Sequence, residues 1–305
     1  MPVTEEFITQ ALSPDQTTTS SQLLALSSLT DAEASQFRTS WEQADGPARA
    51  HLLERLVSVA EDNAEANFDA VFRIALDDDA SEIRQKTIDA LWENQERWLL
   101  NKLASMAEED SAQDVRAAAS GALGKFVLLG ALDELRPSLV DQVESALHRI
   151  IANSEEPVAV RRRAIEALAP SVDPSVNDVI RDAYYSDDED LKISAVFSMG
   201  QHCDDGWLPV LLSELKNTDP AMRFEAARAC GELEDERAVR SLIQLTGEDD
   251  AEVQEAAIEA LGRIGGDEAK DALRRFVEKA DVRLREAAQA ALEEIAANEN
   301  PLGFK

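Results

Sequence analysis

The sequence predicts an all-α protein, a solenoid of about eight stacked helical hairpins. Three observations carry that expectation. A helical motif recurs along the chain, its later copies settle to a fixed interval of 31 residues, and each copy is followed by a second apolar segment and an acidic turn.

The motif has a basic or polar residue at position zero and an apolar residue just before it. Apolar or small residues follow at +3, +4, +6 and +7. It reads "ARAHLLERL" at Arg49, "IRQKTIDAL" at Arg84, "VRAAASGAL" at Arg116 and "VRRRAIEAL" at Arg161. It continues as "LKISAVFSM" at Lys192, "MRFEAARAC" at Arg223, "VQEAAIEAL" at Gln254 and "LREAAQAAL" at Arg285. The intervals are 35, 32, 45, 31, 31, 31 and 31. Offsets −1, +3, +4 and +7 trace one face of an amphipathic helix. Small residues at +3 and +6 let a neighbouring helix come close. Second apolar helices follow, as in "WLLNKLASMA", "WLPVLLSEL", "AVRSLIQL" and "AKDALRRFV", and acidic turns close the units. One such hairpin cannot bury its own apolar face, so the units must stack.

The remaining elements follow in chain order. Residues 1–46 form an N-terminal segment in which "SPDQTTTSSQ" has little to bury and is expected to be mobile. Thr30 and Glu33 have the spacing of a capping box, with Phe37 and Trp41 four apart on one face. This helix is expected to cap the open end of the stack, with partner docking as the alternative. The array spans 47–297, and 298–305 is a C-terminal tail. Within the 45-residue interval, Pro137 suits the first turn of a long helix over 137–152. Asp77, Asp110, Asp187, Asp188, Asp219, Asp249 and Asp250 precede first helices, where they can cap free amides and meet the positive dipole end.

Composition narrows function. Hydrophobic residues are 44% of the chain and aromatic residues only 5%, and the net charge is −31. Such charge opposes nucleic-acid backbones and anionic membranes. A salty cytoplasm would favour the same acid excess, with 22 arginines to 8 lysines. Two cysteines, Cys203 and Cys230, make no disulfide framework, and Cys230 sits at a core position. The first residues lack the pattern of a secretory signal, and no run of 18 apolar residues occurs, so a cytoplasmic protein is expected.

The "D…VRxxAxxALGxIGDxxA" flavour of residues 47–297, cleanest from 187 to 295, resembles the short HEAT repeats named after phycobilisome-lyase HEAT-like proteins. The resemblance implies a right-handed α-solenoid. It also implies a ladder between units, made by the turn acids and position zero: Arg49, Arg84, Arg116, Arg161, Lys192, Arg223, Gln254 and Arg285. Lys192 and Gln254 would be its weak rungs. It implies further that second helices line the concave face.

Placed on that face, the candidate partner contacts are Trp98, Lys102, Asp178, Asp182, Tyr185, Trp207, Arg240, Gln244, Asp271 and Arg275. Packing between units is the competing reading for the two tryptophans. No catalytic, cofactor or metal residues are assigned. The three histidines, His51, His148 and His202, are far apart, and the "HCDDG" turn lacks a metal-ligand spacing. Common nucleotide, nucleophile and zinc motifs are missing. The expected function is a non-enzymatic protein–protein interaction scaffold or adaptor without cofactor, acting on a protein partner for which a basic surface is favoured. No nucleic-acid or membrane partner is expected. The alternative is a HEAT-like enzyme of lyase or oxidoreductase type, similar to bilin lyases or deoxyhypusine hydroxylases. The latter bind iron through His–Glu pairs, and this chain has no such dipeptide.

Overall fold

A computed structural model describes residues 3–13, 18–63, 65–278 and 282–299. Among the described residues the regular structure is entirely helical. No helix among them is long and apolar enough to cross a membrane. The chain forms two compact units, 1–123 and 124–305, and their boundary falls inside one helix of the enlarged interval.

Unit 1 runs α1 (Glu5–Ala11), α2 (Ser20–Leu23), α3 (Asp31–Gln43), α4 (Gly46–Asp62), α5 (Asp69–Ala75), α6 (Ser81–Ala90) and α7 (Arg97–Glu109). Helix α8 (Gln113–Ala131) crosses the boundary. Unit 2 continues with α9 (Pro137–Ala152), α10 (Val158–Leu168), α11 (Val176–Tyr184), α12 (Glu189–His202) and α13 (Leu208–Glu214). It ends with α14 (Pro220–Leu233), α15 (Val239–Leu245), α16 (Ala251–Ile264), α17 (Gly266–Val277) and α18 (Val282–Glu299). The motif falls on the even-numbered helices from α4 to α18, and the odd-numbered ones between them are the second helices. The fold is an α-solenoid built from these hairpins.

The expected caps form where the residue choice demands them. Thr30 and Glu33 make the reciprocal box that starts α3, and Phe37 and Trp41 turn inward, both buried. Pro137 opens α9. Asp188, Asp219 and Asp250 each accept a backbone amide of the helix that follows, and Asp110 accepts the Ala112 amide just ahead of α8. In the "DDD" turn Asp78 accepts the Ala80 amide just ahead of α6, while Asp77 pairs with Lys102. The polar N-terminal stretch differs from expectation in its second half. Thr19 and Gln22 form a capping box for α2, and Thr18 is buried. Residues 14–17 of that stretch, and 300–305 of the tail, lie outside the described residues.

The 45-residue interval spends its extra length on two helices: α8 has 19 residues and α9 has 16, against 14 for α14 and 7 for α13. Where α12, α14 and α16 end, position +11 turns left-handed in three successive units: Cys203 (φ 53°), Glu234 (φ 51°) and Gly265 (φ 69°). Only the last has the residue suited to that backbone.

Candidate functional site

Position zero holds the turns together by two kinds of contact. The guanidinium folds back onto its own turn, as Arg84 does onto the Asp78 and Asp79 carbonyls, Arg116 onto Asp110 and Ser111, and Arg223 onto Asn217 and Thr218. Some of the position-zero arginines also reach a carboxylate of the next turn. Arg49 meets Asp78 at 2.9 Å and Asp79 at 2.7 Å, Arg84 clasps Asp110 through two bonds of 2.8 and 2.6 Å, and Arg223 meets Glu248 at 2.5 Å. Arg161 donates to the Ile151 carbonyl and Gln254 to the Thr246 carbonyl. Lys192 pairs with Glu189 of its own helix, and Arg285 lies exposed on α18. These contacts serve architecture and leave no open site.

Burial acts to raise the Asp110 carboxyl, but the Arg84 hydrogen bonds, the Ala112 amide and the charges of Arg84 and Arg116 outweigh it and hold the group below its ordinary value. The folded pKa is therefore the lower one. The stability it contributes is present above the unfolded value of roughly 4 and is lost as pH falls through the folded value. Asp110→Asn is expected to cost about 1–3 kcal/mol at pH 6 and progressively less below pH 3. Parallel melts of the two proteins across that range would check this, and a pH-independent difference would contradict it.

The second-helix candidates do not converge. Asp178, Asp182, Tyr185, Arg240, Gln244, Asp271 and Arg275 are exposed along successive helices without a shared floor. Several are engaged locally: Asp178 with Arg181, Arg240 with Glu268, Asp271 with Arg274, and Tyr185 edge-on to Tyr184. In unit 1, Lys102 is committed to Asp77, and Trp98 is half-buried beneath the Arg73 guanidinium, 4.1 Å from the ring centre. Trp207 is a correction. It is buried, and its indole N–H donates to Asn177, so it packs the turn and offers no outward anchor. Asn177 also meets His202 and Asp204, which absorbs the polar groups of the "HCDDG" turn. Burial, with Glu232 and Glu234, pushes the Cys203 thiol up, and burial pushes that of Cys230 up to about 12. Among the described residues no three His, Cys, Asp or Glu side chains group as a metal site.

The layers of unit 2 explain why the second helices scatter their side chains. Successive first helices α12, α14, α16 and α18 lie along one another, whereas α15 and α17 touch little and α13 and α15 less. The close approach has a sequence cause: a glycine at +8 meets the alanine at +6 of the next unit. Gly124 faces Ala167, Gly200 faces Ala229, Gly231 faces Ala260 and Gly262 faces Ala291. The close-packed layer of unit 2 is the first-helix layer, whereas the candidate contacts were expected on the second helices.

On that side, the outward positions +1, +2 and +5 bring together a cluster that the sequence reading missed. The Arg228 guanidinium stands 5.8 Å from the Phe197 ring and 5.6 Å from the Phe224 ring, with Glu225 at 3.4 Å. Both phenylalanines remain partly exposed. On the α10 side, Arg162 donates to Ser194, whose hydroxyl donates to Glu166. Burial pushes the Glu225 carboxyl above its ordinary value against the pull of Arg228; Glu166 adds to the rise and Arg162 opposes it. Both of those residues sit on α10, so charges two first helices away act on the same carboxyl. The legible signal was phenylalanine at +5 and +1, outside the buried set of the motif.

Residues 178–250 and 208–293 match the family of HEAT repeats. No curated protein matches the chain. Among solved structures, a chain from the complex of Kap95p with RanGDP aligns with a TM-score of 0.54 at 12% identity, covering 97% of this chain. This chain spans only 48% of that one. The E. coli protein YibA aligns with a TM-score of 0.47 at 18% identity, over 81% of this chain and 96% of its own. Human deoxyhypusine hydroxylase aligns with a TM-score of 0.37 at 17% identity, over 86% of this chain and 97% of its own. The likeness to the chain of the Kap95p complex shows the fold alone. Residues 178–293 are thus matched by HEAT repeats, within a chain that is an all-helical α-solenoid.

Proposed function

We propose that the chain is a non-enzymatic protein-interaction scaffold that holds a protein partner on the first-helix layer of α10, α12 and α14. The observation that carries this reading is the Phe197–Arg228–Phe224 cluster. Aromatic and arginine side chains dominate binding hot spots, and here they stand partly exposed on a face formed by close-packed helices. The net charge of −31 favours a partner with a basic surface, captured quickly at low salt, and works against nucleic acid. The 31-residue period favours the short phycobilisome-lyase HEAT-like type of repeat, and the acidic, disulfide-free composition favours a cytoplasmic setting. In this reading α3 caps an array spanning 47–297, with 298–305 as a tail.

The test is affinity capture from native lysate by the wild type and by Arg228→Glu and Phe197→Ala, at low and high salt. A protein partner held at low salt by the wild type is expected to be retained about ten-fold less by either variant. Unchanged retention by both would overturn the reading, as would turnover by a stoichiometrically bound metal or chromophore.

A further inference from the structure

The first-helix layer of unit 1 breaks the rule that closes the layer in unit 2. Position +8, glycine in four units, is Val57 on α4 and Trp92 just after α6. Val57 faces the region of Ala90, the +6 residue of the next unit, where glycine would have let the helices meet. Helices α4 and α6 touch far less than α12 and α14 do. Between them lies a groove of ≈ 750 Å³ lined by Leu53, Val57, Ala60, Ala90 and Trp92. Its rim carries four acids, Glu54, Glu61, Asp89 and Glu93, and a single base, Lys86, which pairs with Glu54.

Trp92 stands out here. Its side chain is 68% exposed at a helix end and forms part of the groove wall. The groove has the size of a site for a few side chains rather than a packing flaw. Its chemistry is apolar along the floor and anionic at the rim, with an aromatic face between them. A cation flanked by apolar side chains satisfies all three at once, the cation stacking on the indole within reach of the rim carboxylates.

We infer that the α4–α6 groove binds a cationic amphipathic segment of a partner protein, an arginine or lysine stacking on Trp92 while apolar neighbours lie on Val57, Ala60 and Ala90. This deepens the scaffold reading and rests on it. The acidity of the whole chain supplies long-range attraction, and the groove supplies the short-range fit. A second copy of this chain is the poorer occupant, because its surface carries the same sign of charge.

The probe is a fluorescein-labelled helical peptide of leucine and arginine, with a leucine–glutamate peptide as its counterpart, followed by fluorescence polarisation at low salt. Trp92→Ala leaves the net charge untouched, so attraction by charge alone predicts equal affinity for wild type and variant. The expected result is binding of the basic peptide by the wild type, about ten-fold weaker binding by Trp92→Ala, and none of the acidic peptide. The melting temperature of Trp92→Ala should stay near that of the wild type, since the side chain is exposed. Glu61→Gln with Glu93→Gln provides a second route, and is expected to weaken binding several-fold and flatten its salt dependence. Equal affinities for wild type and Trp92→Ala would overturn the inference, as would absence of binding by the wild type. Concentration-dependent dimerisation abolished by Trp92→Ala would also overturn it, by making a second copy the occupant. None of these outcomes touches the Phe197 and Arg228 variants, whose behaviour decides the scaffold reading separately.

Discussion

Asp78→Ala is expected to destabilise unit 1 by about 3–5 kcal/mol, the cost of breaking a buried charge network. The Asp78 side chain is fully buried and accepts three bonds: the Trp41 indole N–H at 2.6 Å, the Arg49 guanidinium at 2.9 Å and the Ala80 amide at 2.9 Å. Alanine leaves Trp41 buried without its acceptor, and Arg49, only 12% exposed, with Asp79 as its remaining carboxylate partner. It also leaves the Ala80 amide ahead of α6 without its acceptor. Adjacent Asp77 provides the contrast. Its carboxylate is 48% exposed and pairs with Lys102 at the surface, so Asp77→Ala should cost less than about 1 kcal/mol. Denaturant titration followed by tryptophan fluorescence compares the two directly. Equal losses would mean that Asp78 is not the hub of the turn.

Gly200→Ala is the second large effect, and its sign is diagnostic. Alanine favours a helix over glycine by about 1 kcal/mol, so propensity alone predicts a more stable protein. A Cβ at Gly200 would stand 2.6 Å from the Ala229 Cα and 2.9 Å from its Cβ, against backbone that cannot swing aside. Helices α12 and α14 must part, at a cost of about 1–3 kcal/mol that outweighs the propensity gain. Gly46→Ala is the control, since nothing lies within 4 Å of its added Cβ. Thermal melts should show Gly200→Ala falling and Gly46→Ala unchanged or slightly raised. A rise in the first would remove the reason given for the tight layer. The same displacement would separate Phe197 from Arg228, which lie on the two helices forced apart.

Much of the fold was legible because the physics that sets it is local. The −1, +3, +4, +7 face marks the helices, Pro137 marks the start of α9, and the Thr30–Glu33 pair marks the start of α3. Three consecutive aspartates defeat spacing arguments, however, and the acid buried in the turn ahead of α6 is Asp78 rather than Asp77. The site was harder. Small residues at +3 and +6 already announced that first helices approach closely, and the glycines at +8 complete that contact. The candidate contacts were placed on the second helices from resemblance, whereas the Phe197–Arg228–Phe224 cluster lies on the close-packed first helices. Trp207 shows the same limit at a single residue: nothing in "DGWLPV" reveals that its indole N–H is spent on Asn177. Trp92 was legible in principle, as the bulkiest residue at a position that holds glycine in four units. It becomes conspicuous only when the copies are aligned beyond +7.

A partner seated on the first-helix layer would shield its backbone amides from solvent. Hydrogen–deuterium exchange of the chain, alone and with its captured partner, reads the two layers separately. Slowed exchange is expected on α12 and α14 around Phe197, Phe224 and Arg228, with α13 and α15 unchanged. Protection centred on α13 and α15, with α12 and α14 unchanged, would contradict it.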